Sequence, residues 1–134
     1  MDTQKGNQTT KKSILIVDDE INLLRSMAFT LRRNGYRVTT ATNGKEALDV
    51  IVESERSKES FNLIITDMQL PGLTGKQLID ELNFIKIDVP ILVITGHGDK
   101  NMVVDLLNKG CRGYLDKPFN SDELLNQVFK MLEQ

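Results

Sequence analysis

Apolar residues fall into two kinds of run that alternate along the chain. Short, nearly unbroken runs occur at Ile14-Leu15-Ile16-Val17, within Phe61 to Thr66, and at Ile91-Leu92-Val93-Ile94. Their length and composition predict strands covered on both faces. Between them, apolar positions recur every three or four residues, the period of one helix face. These sets are Ile21, Leu24, Met27, Ala28 and Leu31, then Ala47, Leu48, Ile51 and Val52, then Leu78, Ile79, Leu82 and Ile85. Val103, Leu106 and Leu107 follow, and a last helix is expected to bury Leu124, Leu125, Val128, Phe129 and Leu132. Tyr36 to Ala41 predicts a second strand and Gly113-Tyr114-Leu115 a brief fifth. Turn chemistry marks the boundaries. Asn34-Gly35 and Gly110 stop helices, Pro90 suits the first residue of a strand, and Asn43/Glu46 and Asn120/Glu123 have capping-box spacing. Glu53 to Ser60 reads as a polar surface loop.

Strands alternating with helices imply parallel pairing through right-handed crossovers, an open sheet with helices on both faces. The second strand mixes Arg37, Thr39 and Thr40 among its apolar residues, and the fifth is very short; both belong at edges. The order 2-1-3-4-5 puts them there. The expected architecture is α/β, a flavodoxin-like (βα)5 domain.

With 134 residues, the chain has the size of one domain. Met1 to Lys12 is polar and reads as a disordered tail, with the folded domain over 13–134. A net charge of -2, with no Lys/Arg block longer than a pair, gives no support for a nucleic-acid or membrane surface. No apolar run approaches the roughly 18 residues of a membrane span. The lone Cys111 has no partner for an internal disulfide, which fits a cytoplasmic setting, and reads as a small buried residue.

Ligands in such sheets bind outside the carboxyl ends of the strands, where the strand order reverses. The first strand runs into Asp18-Asp19-Glu20, the third into Asp67, the fourth into Thr95 and the fifth into Lys117-Pro118. Acids, a hydroxyl and an ammonium from distant parts of the chain thus meet at one edge. Clustered carboxylates repel unless a cation joins them, and oxygen ligands suit a hard ion such as Mg²⁺. A carboxylate nucleophile attacking phosphorus needs developing charge neutralised. Lys117 supplies a point charge for that, and Thr95 a hydrogen bond to a phosphoryl oxygen.

These residues resemble the receiver domains of two-component response regulators. The resemblance rests on Ile16-Val17-Asp18-Asp19-Glu20, on Ile65 to Gly75 around Asp67-Met68-Gln69-Leu70-Pro71-Gly72, on Val93-Ile94-Thr95-Gly96 and on Gly110 to Phe119. It spans Ser13 to about Leu132. The run Thr95-Gly96-His97-Gly98-Asp99 is similar to that of nitrogen-regulation-type receivers. The resemblance implies a signalling switch, not an enzyme acting on other molecules. Asp67 would accept phosphate from a histidine kinase or histidine phosphotransfer protein, with Thr95 and Lys117 as its catalytic partners. Mg²⁺ would be held by Asp18, Asp19, Asp67 and the backbone carbonyl of Gln69. Thr95 and Tyr114 would form the switch pair, and Lys117-Pro118 a cis peptide. Gln69 and His97 would line the path of the hydrolytic water and tune phosphate lifetime. Downstream, the resemblance implies an output domain or protein, and leaves room for a phosphorylation-linked homodimer. The loop from Glu53 looks longer than is usual in the family, on the side away from the acids.

Each residue also has a plainer reading. Aspartates favour strand-end turns, Tyr114 could be a half-buried aromatic, and His97 between two glycines a loop residue. Gly72 and Gly75 serve the turn and the start of the third helix. An aspartate-nucleophile phosphatase or phosphotransferase would carry a second acid two residues after the nucleophile, where this chain has Gln69. A phosphate-independent interaction module would have no need for Asp67 and Lys117 together.

Overall fold

The computed structural model describes residues 11–96 and 100–133, with the side chain of Lys100 excepted. Five strands, β1 (Ser13–Val17), β2 (Arg37–Ala41), β3 (Leu63–Asp67), β4 (Ile91–Thr95) and β5 (Gly113–Asp116), alternate with helices. The helices are α1 (Ile21–Arg33), α2 (Gly44–Arg56), α3 (Gly75–Phe84), α4 (Lys100–Asn108) and α5 (Ser121–Leu132). All strand pairs are parallel, in the order β2-β1-β3-β4-β5. The mixed strand β2 and the short β5 are the edges, as their composition requires.

Strand alternation builds two cores. Leu15, Val17, Ile64, Ile91 and Val93 face one side, under Ala47 and Ile51 of α2, Leu78, Ile79 and Leu82 of α3, and Leu106 of α4. Ile14, Ile16, Leu63, Ile65, Leu92 and Ile94 face the other, under Leu24, Met27, Ala28 and Leu31 of α1 and Leu124 and Val128 of α5. Burial on both faces explains why the central strands read as unbroken apolar runs.

Some local expectations need correction. Glu53 to Arg56 is helix, not loop: α2 continues to Arg56, and only from Ser57 does the chain leave it, through Lys58 at φ 62°. Glu and Arg favour helix, and the buried Ser54 satisfies its hydroxyl on the Ile51 carbonyl at 2.7 Å. The helical apolar faces are also narrower than their spacing suggested. Ile21, Ile85, Leu107 and Phe129 are exposed, and Leu125 and Leu132 only half-buried. Each residue turns the helix by about 100°, so Phe129 and Leu107 swing out beside the buried Val128 and Leu106. Ile85 is already the residue capping α3.

Asn43 caps α2, accepting from the Glu46 N–H at 2.8 Å, but the Glu46 carboxylate returns to the Thr42 N–H, one residue early for a reciprocal box. Asn120/Glu123 is a full box, as is Thr74/Gln77 at α3. Most of the expected tail, Met1 to Thr10, lies outside the described residues. Lys12, assigned to that tail, has its carbonyl paired with the Arg37 N–H at 2.9 Å.

Candidate functional site

Parallel strands deliver their C-terminal residues to one edge. Asp18 continues β1 by one residue, its N–H donating to the Ala41 carbonyl at 3.1 Å. This holds its side chain in the sheet, with no exposed surface. One carboxylate oxygen, Oδ1, accepts the Glu20 N–H at 2.8 Å. The other, Oδ2, is buried with no hydrogen-bond partner. Asp67 closes β3 and is also buried. Its Oδ1 accepts the Gln69 N–H at 3.2 Å and its Oδ2 accepts from Lys117 Nζ at 3.2 Å. Lys117 Nζ stands 4.0 Å from Asp18 Oδ2. Its peptide to Pro118 is cis, and its own N–H bonds the Thr95 carbonyl at 2.8 Å.

Asp18, Asp19 and Asp67 each bring a carboxylate oxygen within 4.8 Å of the others. Among the described residues, Lys117 is the one ammonium paired with these acids, so negative charge is in excess. Burial pushes the Asp18 carboxyl up from 3.8 to about 6; the Glu20 N–H opposes the shift, the Asp67 charge adds to it, Lys117 opposes it and Asp19 adds to it. Burial works against the Lys117 ammonium, yet the charge of Asp67, its hydrogen bond, Asp18 and Glu20 together hold its pKa above the ordinary value. A hard cation fits this donor set: the candidate donors are all oxygens, and one buried oxygen lacks a hydrogen-bond partner.

The segment after Asp67 is pinned from below by α3. Gly72 turns the chain at φ 71°. Gly75 opens the helix so close beneath the site that a Cβ there would stand 2.5 Å from the Asp67 carbonyl oxygen and 2.9 Å from Met68 Cα. The Gly75 N–H bonds the Met68 carbonyl at 3.3 Å. Spacing alone assigned these glycines to the turn and the helix start; the close approach is visible only in three dimensions.

Thr95 is buried at the end of β4. Its hydroxyl donates to Asp116 Oδ1 at 2.7 Å. Tyr114, on the same edge strand, is 42% exposed, so its ring is turned outward here. Gln69 contributes its N–H to Asp67. His97 lies outside the described residues. Asp116 was not singled out by sequence. Its only signal was its place in β5, where it pairs in register with Thr95.

Among known proteins, the sequence model of the response regulator receiver domain matches residues 14–129. The chain belongs to that family. This receiver domain is 31% identical over 90% of its length to the C4-dicarboxylate transport transcriptional regulatory protein DctD of Pseudomonas aeruginosa. It is likewise 31% identical over 94% of its length to the transcriptional regulatory protein FixJ of Bradyrhizobium diazoefficiens. It covers 25% of the first and 59% of the second, so these relatives carry long segments beyond the shared part. By contrast, it covers 94% of sporulation initiation phosphotransferase F of Bacillus subtilis, at 29% identity over 90% of its own length. A receiver domain protein from Clostridium thermocellum superposes with a TM-score of 0.82 at 30% identity, covering 91% of this chain and 94% of that one. Receivers are signalling domains, and a phosphorylation-dependent switch is consistent with this membership. Among the described residues, no helix is long and apolar enough to cross a membrane.

Proposed function

We propose that Asp67 accepts a phosphoryl group from a phosphohistidine of a histidine kinase or histidine phosphotransfer protein, with Mg²⁺ as cofactor. The observation that carries this is the arrangement of its carboxylate: Oδ1 on the Gln69 N–H and Oδ2 on Lys117, beside the unpartnered Asp18 Oδ2. Asp18, Asp19, Asp67 and the Gln69 carbonyl would hold the ion. When bound, it supplies positive charge against the phosphoryl oxygens.

In the transfer, an Asp67 carboxylate oxygen forms a bond to phosphorus as the phosphorus–nitrogen bond of the donor breaks. The imidazole nitrogen leaves with that electron pair. Lys117 holds its charge beside the acceptor and balances the anion as it develops. Hydrolysis reverses the state: a water oxygen bonds to phosphorus, the acyl phosphate P–O bond breaks, and inorganic phosphate leaves the Asp67 carboxylate behind. Gln69 and His97, each two residues past a site residue, would set how readily that water enters.

Thr95 would carry the message by donating its hydroxyl to a phosphoryl oxygen, leaving space for Tyr114 to turn inward. That shift in population alters the surface around α4, β5 and α5, for an output domain or protein or for a second copy of the chain. The setting we infer is cytoplasmic, where histidine kinases present their phosphohistidine. Gln69 in place of a second acid leaves a turnover phosphatase without its proton donor. The test is incubation with phosphoramidate, a small P–N phosphodonor, and Mg²⁺. Label is expected in the parent chain and none in Asp67→Ala; equal labelling of both would sink the assignment.

A further inference from the structure

Thr95 and Asp116 are register partners on adjacent parallel strands, so their side chains leave the sheet on the same face. Tyr114, two residues before Asp116, shares that face. The bond from the Thr95 hydroxyl to Asp116 Oδ1, at 2.7 Å, is short and its acceptor is a carboxylate oxygen. A threonine hydroxyl has one proton to donate. While Asp116 takes it, no oxygen at Asp67 can receive it.

We infer that Asp116 is a positioning residue of the switch: its carboxylate holds the Thr95 hydroxyl toward β5 in the resting state and so sets how readily the activated arrangement forms. This rests on the phosphoacceptor role of Asp67. Activation exchanges one acceptor for another, the Asp116 carboxylate for a phosphoryl oxygen, and the difference between the two bonds enters the switching equilibrium. The main chain reinforces the geometry, because the Thr95 carbonyl is bound by the N–H of Lys117, the residue after Asp116. Hydroxyl, carboxylate and ammonium are therefore carried on one pair of hydrogen-bonded strand ends.

Removing Asp116 would also remove a negative charge near an anion site, an effect independent of Thr95. A double-mutant cycle separates the two. The experiment titrates beryllofluoride, a phosphoryl mimic, into the Mg²⁺-loaded protein and follows amide resonances, whose dispersion also reports folding. Asp116→Ala should bind about tenfold more tightly than the parent, the worth of one charge-assisted hydrogen bond. Asp116→Asn, which keeps an acceptor for the hydroxyl, should fall between the two. In a Thr95→Ala background either substitution should change affinity less than about twofold. Equal gains in both backgrounds, or no gain in Asp116→Ala with the Thr95 hydroxyl present, would overturn the inference. If Asp116→Ala loses its dispersed spectrum, the Asp116→Asn comparison in the two backgrounds decides. A parent chain that binds no beryllofluoride would instead remove the phosphoacceptor role itself, and this inference with it.

Discussion

The two ends of the sheet are built from the same five strands, yet they treat polar groups in opposite ways. At the N-terminal end, the polar groups described find partners close at hand. Asn62 accepts the Ser13 N–H at 2.8 Å through its side chain and returns its own N–H to the Ser13 carbonyl at 2.8 Å. The Ile64 N–H is taken by the Pro90 carbonyl and the Arg112 N–H by the Ile91 carbonyl. At the C-terminal end, among the described residues, three carboxylates face one another around Lys117, and a buried oxygen has no hydrogen bond. A parallel sheet gathers all strand C-termini at one edge, and here the sequence places Asp18, Asp19 and Asp67 there. One end is closed for stability. The other keeps an excess of negative charge, the kind of stress that a bound cation would offset.

Substitutions at the two ends should separate accordingly. The largest effect is expected from Asp67→Asn, which should abolish acyl-phosphate formation by phosphoramidate. Asp18→Asn should show the stress directly. It should weaken Mg²⁺ binding, read by titration, yet stabilise the metal-free protein by about 3 kcal/mol at neutral pH, an upper bound from the shift of 3.8 to about 6. The sign follows from the raised folded-state value: between 3.8 and about 6 the folded chain binds the extra proton. Stability from this group is therefore full below pH 3.8 and lost as pH rises through about 6. Chemical denaturation of the parent minus Asp18→Asn, without metal, should show that slope; a flat difference would remove the charge stress from the account.

A smaller effect is expected at Gly75, where an added methyl must displace the Asp67 carbonyl or the α3 start. Gly75→Ala should cost about 1–3 kcal/mol in denaturant melts and slow phosphorylation as well, because the displaced backbone carries Asp67, the proposed acceptor. The smallest belongs to the closed end. Asn62→Ala should cost about 1 kcal/mol and leave the rate of phosphorylation unchanged. A slowed rate in that variant would mean that the two ends are coupled.

Most of this fold was legible in the sequence because burial on both faces writes itself as unbroken apolar runs, and mixed strands such as β2 announce an edge. The acids, Thr95 and Lys117 were legible for the same reason: strand ends are easy to find, and parallel topology says where they meet. Helix faces were less so, since a spacing of three or four admits Phe129 and Leu107 as readily as Val128 and Leu106. The polar composition from Glu53 to Ser60 hid the extension of α2 to Arg56, in which Ser54 bonds its own helix. Asp116 was hidden for a different reason: an aspartate before a lysine on a short edge strand is unremarkable until the register places it against Thr95. Pairwise placement, more than residue type, carried that information.

The acid-rich edge is proposed to make Asp67 the nucleophile. That role is tested most directly by phosphorylating the chain with phosphoramidate and Mg²⁺, trapping the acyl phosphate by borohydride reduction, and mapping the modified peptide. The modification should fall on Asp67 alone and disappear when Mg²⁺ is chelated. Modification at Asp18 or Asp19, or none at any carboxylate, would contradict the account.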